Sequence, residues 1–318
     1  MKDFLLKKTL LIVVFNILIV IAAVYFGAVK FNANNFDLIL RLRIPRIIMA
    51  FIIGSALGLS GALFQLVLKN PLADGFTTGV SSSAALGAVV SISLGFPIVS
   101  VPAIAFLSGL LGLSLVYKIS KNSSGLNPVT MILAGIVINI IASSIISFLK
   151  YYFDESVGSI VFWLMGGFYQ FELDKILIVL LITLTCFIFF YKNGVKLNVL
   201  AFDELSATNM GVNFKFYRNI SFIGAALLAA LAVSFSGIIA FVGLIVPHIV
   251  RGTFGSDMKK VILYSSVLGA DLTLISDTVS RTVIPSGSEL PVGIITSIVG
   301  GGFFIYILIR KKEQIWNE

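Results

Sequence analysis

Two carboxylates, Asp271 and Asp277, lie inside an otherwise apolar stretch of the chain, and Arg281 follows Asp277 by four residues. Positions i and i+4 share one face of a helix, so Asp277 and Arg281 are expected to form an ion pair. An acid within an apolar segment is costly in a membrane and should face protein or water. The residues favour a hydrogen-bonded structural role for each aspartate, with a proton relay as the alternative.

Other side chains that could carry out chemistry are sparse. Cys186 is the single cysteine and lies in an apolar run, which indicates neither a disulfide framework nor a thiolate metal site. His248 is the single histidine, with no Cys, Asp or Glu within one turn, so we interpret it as structural. The sequence contains no G-x-x-x-x-G-K-[ST] phosphate loop and no supported nucleophile–base–acid set. We therefore expect no enzyme activity, no metal site and no cofactor bound by this chain.

The composition is that of a membrane protein. The chain is 58% hydrophobic and 12% charged, with a mean hydropathy of +1.04, whereas soluble domains are roughly 45–50% apolar and 25% charged. The net charge of +8 comes from basic residues at the ends of apolar runs, which indicates lipid headgroups rather than nucleic acid as the partner.

Apolar runs separated by polar breaks predict an all-α, polytopic membrane protein with about ten transmembrane helices. The first run is interpreted as a retained helix, because no convincing small-x-small cleavage site follows it. Of the 23 basic residues, the predicted topology places most on the side of the two termini. Both termini are therefore expected to be cytoplasmic. The predicted spans are 9–29, 46–68, 81–95, 98–117, 129–149, 174–191, 219–236, 238–254, 260–281 and 292–309.

The second span carries a row of small residues. Gly54, Gly58 and Gly61, with Ala50 and Gln65, recur at spacings of three and four and so share one helix face. Small residues let another helix approach closely in lipid. We predict that the three glycines form a helix-packing face.

Several motifs occur in one order along nearly the whole chain. They are RIPR (Arg43–Arg46), GSALGLSGALFQ from Gly54, NPLADGFTTGVSSSAALGA from Asn70, MILAGIVIN (Met131–Asn139), FWLMGGF (Phe162–Phe168), GIIAFVGLIVPHIVR (Gly237–Arg251) and ELPVGIITSIVGGGFFIYIL (Glu289–Leu308). In this order they resemble the FecCD-type permeases, the membrane subunits of ATP-driven importers of iron chelates, haem and cobalamin.

The resemblance implies a type II ABC importer permease fold, with residues 1–318 as a single transmembrane domain in the bacterial cytoplasmic (inner) membrane. The implied partners are a second permease copy (identical or related), two ATPase subunits that carry ATP and Mg, and an external substrate-binding protein. The implied substrate is an iron chelate such as a siderophore, with haem or cobalamin as alternatives. A proton-coupled secondary transporter using Asp271 and Asp277 is the competing class.

The longest loop on the side of the termini, at about residues 192–218, reads as two short helices, Phe202–Met210 and Phe214–Arg218. Gly211 is a plausible stop and Asn213 a plausible cap. Helices this short are marginal alone and need a surface to pack on, either lipid headgroups or a partner. The resemblance implies that the loop docks on the ATPase through Phe202, Asp203, Glu204, Leu205, Ala207, Met210, Gly211, Val212 and Phe214.

Arg43 and Arg46 bracket Pro45, which we expect at the start of the second span, and Arg281 ends the ninth. The resemblance implies that these three arginines receive acidic residues of the external binding protein. The alternative is that they extend toward lipid headgroups.

The resemblance also assigns the substrate pathway to the fifth and tenth spans and an inner gate to the turn before the fifth span. The pathway residues would be Asn139, Ser143, Ser144, Ser147, Thr296, Ser297 and Gly300. The gate would be the turn Leu126–Val129, with Asn127, Pro128 and Val129 as its residues.

Overall fold

The structure is a computed structural model that describes residues 2–27, 36–122, 125–168, 172–202, 204–284 and 289–315. Within these residues the chain forms thirteen α-helices and one short antiparallel strand pair, β1 (Lys121–Asn122) with β2 (Gly125–Leu126). The helices are α1 (Lys2–Tyr25), α2 (Phe36–Val67), α3 (Val80–Ser93), α4 (Val101–Ser120), α5 (Pro128–Tyr152), α6 (Val157–Leu164), α7 (Leu173–Lys192), α8 (Gly194–Asn198), α9 (Glu204–Asn209), α10 (Phe214–Ser236), α11 (Val242–Phe254), α12 (Met258–Ser280) and α13 (Val292–Ile315).

Ten of these helices coincide with the ten predicted spans. Six of them, α2, α4, α5, α7, α10 and α12, are long and apolar enough to cross a bilayer, and α1, α3, α11 and α13 contain shorter apolar stretches. The prediction of an all-α, polytopic membrane protein is confirmed, and six of its about ten predicted spans are long and apolar enough by themselves to cross a bilayer. The remaining three helices, α6, α8 and α9, are far shorter than the roughly 20 residues that a crossing needs and lie in connections.

Helix α2 lies at the centre of the bundle, with 83% of its most apolar window buried. It packs against α12, α10 and α11. A Cβ atom added to Gly54, Gly58 or Gly61 would collide with main-chain oxygens of the facing helices. Because glycine has no side chain, the backbone of α2 comes close to those of α11 and α12, which is how helices associate in lipid. The facing oxygens belong to Gly269 and Ser265 on α12 and Gly243 on α11.

Three helices have largely uncovered surfaces. Only 28%, 17% and 22% of the apolar windows in α4, α5 and α7 are buried. Lipid or another protein chain must cover these surfaces in the membrane, because apolar side chains are not stable in contact with water. Helix α5 has the smallest buried share of the three.

The prediction that Pro45 begins the second span is wrong. Helix α2 begins at Phe36, and Pro45 lies inside it. Proline removes one helical hydrogen bond but has a backbone φ angle that a helix accepts. Asp37 lies in the first turn of α2, where a negative charge stabilises the positive end of the helix dipole.

The predicted second short helix, Phe214–Arg218, is the first turn of the long helix α10. No glycine or proline separates Arg218 from the following apolar run, so nothing ends the helix there. The cap was predicted correctly, since Asn213 Oδ1 accepts a hydrogen bond from the Phe216 main-chain nitrogen at 3.0 Å. The first short helix is α9, and Gly211 beyond it has a φ of 73°, a left-handed conformation that glycine adopts readily.

Candidate coupling, pathway and docking sites

The predicted ion pair between Asp277 and Arg281 forms part of a larger network. Arg281 Nε lies 3.0 Å from Asp277 Oδ2, although its hydrogen bond goes to the Asp277 main-chain oxygen at 3.3 Å. Arg46 Nη2 lies 2.8 Å from Asp277 Oδ1, and Arg46 Nη1 lies 2.6 Å from Glu289 Oε2. The name arginine cluster is used below for Arg43, Arg46, Asp277, Arg281 and Glu289. The Asp277 side chain is fully buried, so the two guanidinium groups compensate a charge that water does not reach.

Arg43 and Arg281 also hold the end of α1. Arg43 Nη1 donates to the main-chain oxygens of Val24 and Tyr25 at 2.6 and 3.0 Å. Arg281 donates to the oxygens of Ala23 and Phe26, both at 3.3 Å. The last carbonyls of a helix have no partner within the helix and carry its negative dipole end, so cations stabilise them. The sequence did not reveal this internal role.

The three arginines predicted to dock an external protein therefore differ in accessibility. Arg43 and Arg281 are buried, whereas the Arg46 side chain retains 14% exposure and Glu289 35%. A partner at this end of the bundle meets Arg46 and Glu289 first.

Asp271 is the second acid of α12, and the residue that faces it was not predicted. Asn16 Nδ2 on α1 donates to Asp271 Oδ1 at 2.7 Å. Asp271 Oδ2 is buried and has no hydrogen-bond partner among the described residues. This contact joins α1 to α12 in the apolar part of both helices. The geometry fits a structural hydrogen bond and leaves one oxygen that could take a proton.

The polar residues predicted to line a pathway form one stripe on α5. Asn139, Ser143, Ser144 and Ser147 line an open groove on the surface of the chain. The Ser144 and Ser147 hydroxyls donate to main-chain oxygens of their own helix at 2.9 Å. Bonding to the helix backbone lowers the cost of placing these groups in a membrane. The stripe lies on α5, the helix whose apolar window has the smallest buried share among α4, α5 and α7.

On α13 the two predicted pathway residues differ in position. Ser297 is exposed. Thr296 is buried, and its hydroxyl donates to the Gly293 main-chain oxygen at 3.2 Å. The Thr296 side chain therefore faces protein in this single chain, and its place on a path stays a prediction.

The predicted gate turn is a well-defined helix start. Asn127 Oδ1 accepts hydrogen bonds from the main-chain nitrogens of Val129 and Thr130 at 3.0 and 3.2 Å, which is the geometry of an N-cap. Pro128 occupies the first position of α5, where its missing N–H costs nothing. The Val129 side chain is exposed. The strand pair β1–β2 precedes this turn.

The segment between α7 and α10 projects apolar side chains outward. Phe202, Leu205 and Met210 are 53%, 77% and 58% exposed, and these three side chains are called the coupling knob below. Two residues of the same segment, Ala207 and Phe214, are buried and hold it on the bundle. Asp203, which was also predicted here, lies outside the described residues.

Polar contacts fix the backbone of the segment that carries the coupling knob. Lys69, just beyond α2, donates from Nζ to the Phe202 main-chain oxygen at 2.9 Å. Glu204 Oε1 lies 3.4 Å from Lys215 Nζ. The Val212 main-chain nitrogen donates to the Ala207 oxygen at 3.1 Å, which closes the end of α9. The segment is therefore connected directly to the end of the central helix, a link that the sequence did not show.

Three features together are those of a membrane permease subunit. They are the apolar bundle of the ten helices that coincide with predicted spans, the polar stripe on the largely uncovered helix α5, and the fixed apolar coupling knob at one end. Over residues 6–310 the sequence matches the model of the FecCD transport family. The chain belongs to this family of ABC importer permeases, whose members are not themselves ATPases.

Three similar proteins carry informative descriptions. The chain is 32% identical over 282 residues to the hemin transport system permease HmuU of Yersinia pestis, covering 86% of this chain and 84% of that protein. It is 31% identical over 319 residues to the vitamin B12 import system permease BtuC of Vibrio vulnificus, covering 96% and 95%. A solved structure described as a metal-chelate type ABC transporter in an inward-facing conformation superposes with a TM-score of 0.84 at 30% identity, covering 94% of this chain and 98% of that chain.

Proposed function

We propose that this chain forms the translocation path for an iron chelate in an ATP-driven importer, with haem or cobalamin as alternative substrates. Its family and the metal-chelate type of its structural neighbour support this substrate class. The observation that carries the proposal is the coupling knob. Three exposed apolar side chains on a segment fixed to the central helix need a partner surface, and an ATPase subunit is the partner that the family implies.

A complete path requires a second copy of the chain or a related permease. The polar stripe of α5 is open on one side, and only 17% of the apolar window of this helix is buried. Pairing two copies along α5 would bring two such stripes together around one axis. Small uncharged groups on both walls suit a path that releases a bulky chelate.

The arginine cluster lies at the opposite end of α2 from the coupling knob, since Arg46 is near the start of this helix and Lys69 just beyond its end. We propose the arginine cluster as the external docking site for a substrate-binding protein, with Arg46 as the accessible contact. The coupling knob and both termini then lie on the cytoplasmic side of a bacterial inner membrane. The excess of basic residues in the loops on that side supports this orientation.

The test is uptake by the purified protein in sealed proteoliposomes together with its ATPase and binding protein. We expect substrate to enter only when ATP and both partners are present. A ferric siderophore, haem and cobalamin, each compared at the same concentration, identify the substrate class. Uptake driven by a pH gradient without any ATPase would contradict the proposal.

A proton-coupled transporter is the second candidate function, because Asp271 Oδ2 is buried without a hydrogen-bond partner among the described residues. A relay through Asp271 and Asp277 would require each acid to gain and lose a proton. Asp271→Asn and Asp277→Asn block that exchange. Folded variants that lose gradient-driven uptake would support this candidate, and folded variants that keep ATP-driven uptake would reject it.

A further inference from the structure

Two cavities lie beside the end of α2, and Leu66 and Lys69 line both of them. The first, called the gate-side cavity, has a volume of about 250 Å³ and is also lined by Pro128, Glu204 and Arg218. It is therefore bounded at once by the gate turn, the coupling segment and the first turns of α10. Of its two basic residues, Lys69 holds the Phe202 backbone, and Arg218 forms no ion pair among the described residues.

Arg218 is the most unusual group in the gate-side cavity. Its Nε and Nη2 atoms are buried and have no hydrogen-bond partner among the described residues. The guanidinium carbon lies 5.1 Å from the centre of the Phe214 ring, a distance that permits a cation–π contact. Guanidinium nitrogens are obligatory donors, and burying them without an acceptor is costly. Two buried donor atoms therefore have no acceptor in the described part of the chain, and a group that pairs with them must enter the gate-side cavity.

The second cavity has a volume of about 370 Å³ and adds another arginine beside Lys69. Arg251 donates from Nη1 to Gln65 Oε1 and from Nη2 to the Ala62 main-chain oxygen. Both acceptors are neutral groups of α2. The part of its lining that the structure describes contains no carboxylate.

Lys69, Arg218 and Arg251 are called the cationic collar. Within the described residues, none of the three forms an ion pair with a carboxylate. Among the described residues that line the gate-side cavity, the one acid is Glu204, and it is paired with Lys215. Three positive charges thus lie around the end of the central helix, and Glu204, which is already paired with Lys215, offsets the charge of Arg218 only in part.

We propose that the cationic collar binds carboxylate side chains of the ATPase subunit, beside the surface that contacts the coupling knob. This inference rests on the proposed function and adds a charged contact to an apolar one. The collar is continuous with the knob, because Lys69 holds the Phe202 backbone at 2.9 Å. A protein that covers the exposed knob therefore also covers the mouths of the two cavities.

The contact gives the ATPase access to the inner gate. Pro128 and Arg218 line the same cavity, so a carboxylate paired with Arg218 lies next to the first residue of α5. Movement of the ATPase could then be transmitted to the pathway helix through this cavity as well as through the knob.

The test is the affinity of the purified ATPase subunit for the permease in phosphatidylcholine nanodiscs, measured at low and high salt. Arg218→Gln combined with Lys69→Gln should weaken binding by about tenfold or more. It should also make binding less sensitive to salt, because two screened contacts are lost. Arg218→Lys keeps the charge and should recover part of the affinity.

The matched control is Lys118→Gln, which removes one exposed positive charge from α4 at the same end of the bundle, since the neighbouring Tyr117 bonds to Asn219 of α10. It should bind like the wild type. Thermal stability of each variant in the nanodisc separates loss of binding from loss of folding.

A folded Arg218→Gln/Lys69→Gln variant that binds with wild-type affinity and salt dependence would overturn the inference while leaving the proposed function in place. A defect that appears only in nanodiscs containing phosphatidylglycerol would overturn it in favour of lipid headgroups. If the wild-type permease itself fails to bind its ATPase, the proposed function fails, and the collar proposal fails with it.

Discussion

Arg281→Gln is expected to destabilise the protein strongly, because Arg281 compensates a buried charge. The Asp277 side chain is fully buried and that of Arg281 is 3% exposed. Removing one partner of a buried ion pair typically costs about 3–5 kcal/mol. Arg46 remains 2.8 Å from Asp277 and still compensates part of the charge. We therefore expect the free energy of unfolding to fall by about 3 kcal/mol, at the lower end of that range.

The chain contains a matched exposed pair for comparison. Arg41 Nη2 lies 3.6 Å from Asp37 Oδ2, again at a spacing of four residues, but both side chains are at least 80% exposed. Water screens such a pair, and it contributes about 0–1 kcal/mol. Arg41→Gln should therefore leave the free energy of unfolding nearly unchanged.

The assay is reversible unfolding in mixed detergent micelles, titrated with SDS and followed by far-ultraviolet circular dichroism. The double variant Asp277→Asn/Arg281→Gln removes the uncompensated charge along with its partner. It should be more stable than the sum of the single effects predicts, by about 1–3 kcal/mol. The reasoning is refuted if Arg281→Gln costs no more than Arg41→Gln, or if the two single effects simply add.

Three further predictions follow from the other sites. Gly58→Ala should lower the yield and thermal stability of folded protein, because the added Cβ would collide with the backbone of α12. The control Gly302→Ala should lower neither, because a Cβ added there meets no atom within 4 Å. Equal yield and stability of the two variants would contradict the packing argument. Leu205→Asp should uncouple ATP hydrolysis from uptake while leaving the fold intact, since burying the leucine side chain in a partner contributes about 1.5–3 kcal/mol. Normal coupled uptake by this variant would instead favour a coupling knob that rests on lipid. Asp271→Asn should preserve ATP-driven uptake, since the amide oxygen can still accept a hydrogen bond from Asn16. Loss of uptake by a folded Asp271→Asn variant would point to a proton relay.

The number, type and approximate bounds of the spanning helices could be read from the sequence. The bilayer fixes the length of an apolar helix, so hydropathy shows where the longer spans lie. The count of ten also needs the family resemblance, because four of the ten helices have only shorter apolar stretches. The cap at Asn213 and the ion pair between Asp277 and Arg281 could also be read, because their partners lie within four residues. The error at Pro45 concerns where a helix starts, and the error at Arg218 concerns where a helix ends.

The partners of the buried polar groups could not be read in this way. Arg46 reaches Asp277 across 231 positions of sequence, and Asn16 reaches Asp271 across 255. Helix periodicity shows which face of a helix a residue occupies, but not which other helix lies against that face. The same limit explains why the burial of Thr296 was missed.

The sequence alone determined that this chain is a polytopic helical membrane protein and, through its ordered motifs, its permease family. Those properties depend on hydrophobicity and on residue order, which are carried along one dimension. The tertiary structure decided that the arginines at one end hold α1 and Asp277, and that three cations at the other end lie beside two cavities without an ion-pair partner among the described residues. Such contacts arise only when helices that are distant in sequence pack side by side, because a buried charge is stabilised by whichever groups that packing brings within reach.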